Sequence, residues 1–127
     1  MIFSRFTQRW SGLFKPVQLR PRLSIVVVVF NMRREAPRTL FTLSPAYQRN
    51  VDAADYEVIV VDNGSSGPLT ATEVAQFGPQ FHSLRIDQAP PSPAAAINRG
   101  VALSKAPFVG IMIDGARMAT PGVVAMA

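Results

Sequence analysis

Cysteine is absent from the 127 residues, which excludes disulfide bonds and thiolate metal sites. His82 is the only histidine, and a single imidazole excludes multi-histidine metal sites. No apolar run reaches the roughly 20 residues that span a bilayer. The first ten residues, MIFSRFTQRW, also lack the apolar central region of a signal peptide. The sequence therefore predicts a cytoplasmic protein.

Acidic residues are also scarce, since eight stand against thirteen basic residues and leave a net charge of +5. The basic residues crowd the start of the chain, at Arg5, Arg9, Lys15, Arg20, Arg22, Arg33, Arg34 and Arg38. Glu35 is the only acid before residue 40. The positive charge thus belongs to the amino-terminal segment and the first loop. No recognition motif accompanies it, so we expect no nucleic-acid partner.

Residues 1–20 form a segment of their own, ahead of a domain over residues 21–127. Their apolar side chains recur at steps of three and four, at Ile2, Phe3, Phe6, Trp10, Leu13, Phe14 and Val17. This spacing predicts an amphipathic helix that Gly12 interrupts and Pro16 ends. Two interpretations are open. The helix packs on protein, or it lies on anionic lipid at the inner face of the membrane.

Short β-branched runs alternate with helical patterns along the rest of the chain. We predict strands over residues 23–30, 57–61, 81–86 and 108–113. We predict helices over residues 35–47, 68–77 (capped by Ser66) and 94–105. The first two strands are apolar on both faces, which predicts an α/β fold with a largely parallel sheet covered by helices. A further helix begins near Thr120, and its end about five residues later predicts a fragment of a longer protein.

Polar side chains follow these strands, where ligands bind in parallel sheets. Asp62 follows the second strand, and its carboxylate could accept from a ring N–H or a ribose hydroxyl. The alternative is a plain turn in which Asp62 bonds local amides. Asn31 follows the first strand and could read a base edge, while Arg33 could bind a phosphate. The alternative for this segment is a solvated basic loop.

Further candidates lie later in the chain. Asp114 ends the fourth strand and could hold one divalent cation, or could merely sit in a turn. Arg117 could neutralise a diphosphate. In the alanine-rich helix, either Gly100 allows close packing on the sheet, or Asn98 or Arg99 faces the crevice. No GxGxxG or GxxxxGK[ST] loop is present, which disfavours dinucleotide and P-loop sites. We interpret the remaining acids as surface charge: Asp52, Asp55, Glu57, Glu73 and Asp87.

Four motifs in order resemble the family 2 glycosyltransferases, inverting enzymes with a GT-A fold. These are SIVVVVFN at 24–31, EVIVVDNGSS at 57–66, AINRG at 96–100 and IMIDGARMATPG at 111–122. Two positions depart from the family pattern. Ile97 replaces the arginine of A-R-N-x-G, and Ala116 replaces the second aspartate of D-x-D.

This resemblance implies a truncated GT-A domain, a Rossmann-like three-layer sandwich that binds a nucleotide-diphosphate sugar. The implied nucleotide-binding residues are Phe30, Asn31, Arg33, Asp62 and Asn98. Asp114 would bind Mg²⁺ or Mn²⁺, although the second carboxylate of the pair is replaced, and Arg117 would contact the diphosphate. The parent protein would transfer a hexose, with its general base beyond residue 127, so this chain alone would be inactive. Two alternatives are a non-catalytic GT-A binding module and a membrane-associated interaction domain.

Overall fold

A computed structural model describes residues 2–5, 20–113 and 117–127. Its five-stranded sheet has the order β1-β5-β2-β3-β4. The strands are β1 (Ile2–Arg5), β2 (Leu23–Val29), β3 (Tyr56–Asp62), β4 (Phe81–Arg85) and β5 (Phe108–Ile113). The helices are α1 (Ala36–Thr42), α2 (Ala71–Ala75), α3 (Ala94–Leu103) and α4 (Val123–Met126), with a 3₁₀ turn at Ala53–Asp55. All four predicted strands are present, and their bounds shift by one residue at most.

Strands β2 to β5 are mutually parallel, which confirms the prediction of a largely parallel sheet. Strand β1 pairs antiparallel with β5 at one edge. The predicted helix over residues 1–20 is therefore wrong for Ile2–Arg5, while residues 6–19 lie outside the described part of the chain. Backbone pairing with the open edge of β5 overrides the local helical spacing, because an edge strand offers unpaired amides and carbonyls.

Helices cover both faces of the sheet, as its doubly apolar strands predict. Every residue of β2 and β3 is buried. One face packs against α1, α2 and α4, and the other packs against α3. The result is the three-layer α/β sandwich expected from the sequence. Gly100 lies in the tight contact between α3 and the sheet, where an added Cβ would lie 2.3 Å from Cγ1 of Val26. The close-packing interpretation of this glycine is thus confirmed.

The first two helices are shorter than predicted. Helix α1 ends at Thr42 instead of residue 47, and the hydroxyl of Ser44 donates to the carbonyl of Phe41 at 2.6 Å. Helix α2 begins at Ala71 because Thr70, not Ser66, caps it. Thr70 and Glu73 form a reciprocal capping box at the start of α2. Local side-chain bonds to the backbone thus decide both boundaries.

Glu57 is buried, which corrects its interpretation as surface charge. Its Oε1 accepts from the hydroxyl of Ser24 at 2.6 Å and from the amide of Lys105 at 2.8 Å. The Ser24 hydroxyl in turn accepts from the amide of Ala106 at 3.1 Å. Glu57 therefore ties the connection after α3 to the amino-terminal ends of β2 and β3. This network lies at the end of the sheet opposite to the predicted site.

Gln48 joins the segment after β5 to the end of α1. Its Nε2 donates to the carbonyls of Thr42 at 2.7 Å and Thr120 at 3.0 Å. Its Oε1 accepts from the amides of Gly122 and Val124, each at 3.2 Å. Gln48 is 6% exposed, so one buried amide satisfies four backbone groups. The residues after Arg117 are thereby fixed against the core.

The buried Tyr56 allows core packing to be tested by the dependence of stability on pH. Its hydroxyl donates to the carbonyl of Leu43 at 2.6 Å, and burial raises the pKa of Tyr56 to about 12. Because an unfolded tyrosine has a pKa of about 10, high pH favours the unfolded chain. We expect full stability below pH 10 and a loss approaching about 2–3 kcal/mol as pH rises to 12. Urea denaturation across this range measures the loss.

The control for this prediction is the other tyrosine of the chain. Tyr56→Phe should lower stability at neutral pH by about 1 kcal/mol, through the lost hydrogen bond, and should flatten the alkaline decline. Tyr47→Phe should leave the decline in place. An alkaline decline of the same size in Tyr56→Phe would contradict the assignment to Tyr56.

Candidate functional site

The carboxyl ends of the parallel strands β2, β3 and β5 lie side by side at the same end of the sheet. Val29 of β2 pairs with Asp62 of β3, and Val28 pairs with Ile113 of β5. The amide of Asn63 donates to the carbonyl of Val29 at 2.8 Å, which extends the pairing by one residue. The loops after β2 and β3 therefore leave the sheet side by side, as the sequence predicts for a ligand crevice.

Asn31 connects these two loops. It adopts a left-handed backbone conformation with φ of 50°, which asparagine tolerates better than most residues. The backbone amide of Asn31 donates to the hydroxyl of Ser65 at 2.8 Å. Its side-chain Oδ1 accepts from the amide of Ser66 at 3.0 Å and from the hydroxyl of Ser66 at 3.3 Å. The side-chain oxygen of Asn31 thus holds the loop after β2 to the loop after β3.

Asp62 is 8% exposed and makes its contacts through one oxygen. Its Oδ1 accepts from the amide of Ser65 at 2.7 Å and from Nη1 of Arg85 at 3.2 Å. The bond from the amide of Ser65 is the local contact that the turn interpretation of Asp62 predicts. Among the described residues no hydrogen bond to Oδ2 is found.

Two described residues, Gln80 and Asn63, have buried side-chain polar atoms without a hydrogen-bond partner. The Nδ2 of Asn63 donates to the carbonyl of Pro90 at 3.3 Å, but its buried Oδ1 accepts no hydrogen bond in the described part of the chain. A buried acceptor without a donor typically costs about 1–3 kcal/mol. The Pro90 carbonyl fixes the amide orientation, because a flipped amide would oppose two oxygens.

A cavity of about 210 Å³ adjoins this amide. Its walls are Val28, Phe30, Met32, Asn63, Pro91, Pro93 and Ile113. Phe30 stands at this cavity with 55% of its surface exposed. Pockets for whole ligands typically measure roughly 300–1,000 Å³, so this cavity suits one part of a ligand, such as a planar ring.

Arg33 is held by neighbouring protein groups. Its guanidinium contacts Glu73 at 2.6 Å and donates to the carbonyl of Pro68 at 2.7 Å. The pKa of Glu73 lies below its usual value, because the carboxylate accepts from the amide of Thr70 and from Arg33. Arg33 therefore braces the start of α2 here, and a phosphate would have to compete with Glu73 for it.

Three further residues were predicted for the site, Asn98, Arg117 and Asp114. Asn98 is exposed on α3. Arg117 is exposed after β5. Asp114, the predicted metal residue, lies outside the described residues. Within the ranges described, no group of three or more His, Asp or Glu side chains could hold a metal ion.

Sequence reasoning missed Asn63 and Arg85. Asn63 lies in the motif EVIVVDNGSS, in which only Asp62 was assigned a role in binding. Arg85 was unassigned, although it pairs in register with Asp62 across β3 and β4. The position of Asn63 directly after a buried strand could have indicated it as a candidate from the sequence. Arg85 had no local signal, because its partner lies 23 positions earlier in the chain.

An α/β sandwich with a largely parallel sheet and helices on both faces defines a domain of the Rossmann-like class. The sequence profile described as Glycosyl transferase family 2 matches residues 24–114, more than half of the 127-residue chain. The chain therefore belongs to glycosyl transferase family 2. No curated protein matches it in sequence at a significant level.

Solved structures of S. aureus TarS share the fold. TarS 1–349 in complex with UDP superimposes with a TM-score of 0.72 at 19% identity, over 83% of this chain and 30% of that one. Another TarS 1–349 structure gives 0.68 at 20% identity, over 78% and 28%. A further TarS structure gives 0.71 at 19% identity, over 83% and 18%. This chain thus spans less than a third of those proteins, and the likeness confirms the predicted GT-A fold.

No described helix has the length and apolar character needed to cross a membrane.

Proposed function

We propose that this chain is the donor-nucleotide-binding part of an inverting glycosyltransferase that takes a hexose from a nucleotide-diphosphate sugar. Family membership supports the transferase class. The TarS complex with UDP supports a nucleoside diphosphate as the bound part of the donor. The observation that carries the proposal is the unpartnered Oδ1 of Asn63 beside a ring-sized cavity at the strand ends.

The chemistry of Asn63 selects among nucleobases. Its Oδ1 can only accept, and the Pro90 carbonyl holds its Nδ2. Uracil, thymine and guanine each carry a ring N–H that can donate to such an oxygen. Cytosine and adenine have unprotonated ring nitrogens on the corresponding edge. Phe30 offers an aromatic face on which any base can stack. The site should therefore prefer a base with a ring N–H.

The rest of the nucleotide would extend along the strand ends. Asp62 would accept from a ribose hydroxyl through Oδ2, and Asn31 joins the two loops beside it. Arg117 is the exposed cation after β5 and would contact the diphosphate. Arg33 would join it only by leaving Glu73. Asn98 would contribute if the nucleotide reaches the outer side of α3.

Nucleotide titration tests this proposal directly. We expect the chain to bind UDP, dTDP or GDP by calorimetry and to bind CDP and ADP more weakly. Asn63→Leu should weaken binding of the preferred nucleotide by about tenfold, because the base N–H then loses its acceptor. Binding of CDP should change little in the same variant.

The matched control is Gln76→Leu, which removes an amide of similar size from an exposed position at the end of α2. This variant should bind like the wild type. Thermal unfolding of both variants establishes that each is folded at the titration temperature. If the wild type binds none of the five nucleotides, the proposed function is wrong. If Asn63→Leu binds as tightly as wild type, the base lies elsewhere.

A further inference from the structure

Asn63 lies in a four-residue loop whose two ends are joined. The loop runs from Asp62 to Ser65, and Gly64 turns it with a φ of +85°. The amide of Ser65 donates to Oδ1 of Asp62 at 2.7 Å, which closes the loop. The amide of Ile86 donates to the Asp62 carbonyl at 2.9 Å, which fixes its first residue. The direction of the Asn63 side chain therefore depends on how firmly this loop stays closed.

Arg85 contacts both ends of this loop with one nitrogen. Its Nη1 donates to Oδ1 of Asp62 at 3.2 Å and to the carbonyl of Ser65 at 2.8 Å. Its Nε donates to Asp87 at 2.7 Å, which holds the guanidinium in orientation. A guanidinium can satisfy these three acceptors because its donors point in fixed, divergent directions.

Asp62 is the buried partner of this ion pair. The Asp62 side chain is only 12% exposed, against 82% for Asp87. Arg85 is the only cation within ion-pair distance of Asp62 among the described residues. A carboxylate in this setting is poorly solvated, so loss of its cation would weaken the closed loop more than loss of a surface ion pair would.

The effect of Arg85 also reaches the loop after β2. Ser65, which Arg85 contacts through its carbonyl, accepts from the amide of Asn31 with its hydroxyl at 2.8 Å. Asn31 directly follows Phe30, which lines the cavity with Asn63. One guanidinium at the end of β4 thus contacts the loop that carries Asn63 and, through Ser65, is linked to the loop that carries Phe30 and Asn31.

We propose that Arg85 is a positioning residue that sets the base preference of the site, by holding the Asp62–Ser65 loop closed and so fixing Oδ1 of Asn63. Arg85 does not line the base cavity and acts through the loop. This inference rests on the proposed function, because it requires a nucleobase at Asn63.

The experiment compares UDP and CDP binding in Arg85→Met. The UDP affinity should fall by roughly five- to tenfold while the CDP affinity changes less, so that the UDP-to-CDP preference shrinks. A residue needed only for folding would lower both affinities together. The control is Arg20→Met, which removes a comparable ion pair with Asp55, 2.9 Å long, outside the crevice. It should leave the preference unchanged.

The double variant Arg85→Met with Asn63→Leu shows whether Arg85 acts through Asn63. Once Asn63 has no acceptor, loss of Arg85 should cost almost no further UDP affinity. Fully additive losses would overturn the proposal, as would an unchanged UDP-to-CDP ratio in Arg85→Met. If the wild type binds UDP but Arg85→Met keeps the preference for UDP over CDP, the role of Arg85 is wrong and the proposed function stands. If the wild type binds no nucleotide, both are wrong.

Discussion

Gln48→Leu should lower the free energy of unfolding by about 4 kcal/mol, measured by urea denaturation. The substitution keeps most of the side-chain volume but removes the amide that satisfies four backbone groups. Each buried group left without a partner typically costs about 1–3 kcal/mol, and partial access of water reduces the sum. The segment that carries Gly122 and Val124 would lose its attachment to the end of α1.

The control is again Gln76→Leu, since Gln76 is exposed while Gln48 is 6% exposed. We expect a change within about 0.5 kcal/mol for this surface substitution. Gln48→Glu adds a sharper comparison, because a carboxylate could still accept from the two amides but would face the two carbonyls. It should also be clearly destabilised. Unfolding energies of Gln48→Leu and Gln76→Leu that agree would show that the described bonds contribute little.

Gly100→Val should destabilise the fold by about 3 kcal/mol or more. A Cβ at this position would lie 2.3 Å from Cγ1 of Val26 and 3.2 Å from Cγ2 of Val61. Both neighbours are fully buried in the sheet, so α3 itself would have to move outward. Overpacking of this kind typically costs about 1–3 kcal/mol, and the γ-methyl groups of valine add to the displacement.

Ala102→Val provides the matched control, because Ala102 is exposed on the same helix. Its cost should be that of helix propensity alone, within about 0.7 kcal/mol. A second comparison adds Val26→Ala to Gly100→Val. The smaller residue makes room, so the double variant should lose less than the sum of the two single losses. Strict additivity would mean that the contact between Gly100 and Val26 is not the cause.

The strands could be predicted because their composition leaves few alternatives. Runs such as Ile25 to Val29 are too apolar to face water and too β-branched to favour a helix. The segment Ile2–Arg5 shows the limit of this reasoning. Its helical spacing was a correct observation, but the partner that decides its structure is β5, more than a hundred positions away. The membrane interpretation of residues 1–20 stays a prediction.

The contacts at the strand ends could be predicted only in part, for the same reason. The apolar run before Asp62 is enough to predict that this residue follows a buried strand. The roles of Asn63 and Arg85 depend on strand register and on the approach of Pro90, which the sequence does not encode locally. Glu57 shows the same limit, since nothing in its neighbours along the chain indicates that Ser24 and Lys105 surround it.

The bonds that Asn31 makes to Ser65 and Ser66 have a consequence for motion. They join two loops that are 34 positions apart in the chain, through donors on both sides. Neither loop can leave the sheet end without breaking the bonds that hold the other. The two loops should therefore open as one cooperative unit, as in local unfolding, so that a molecule held by either loop restrains both.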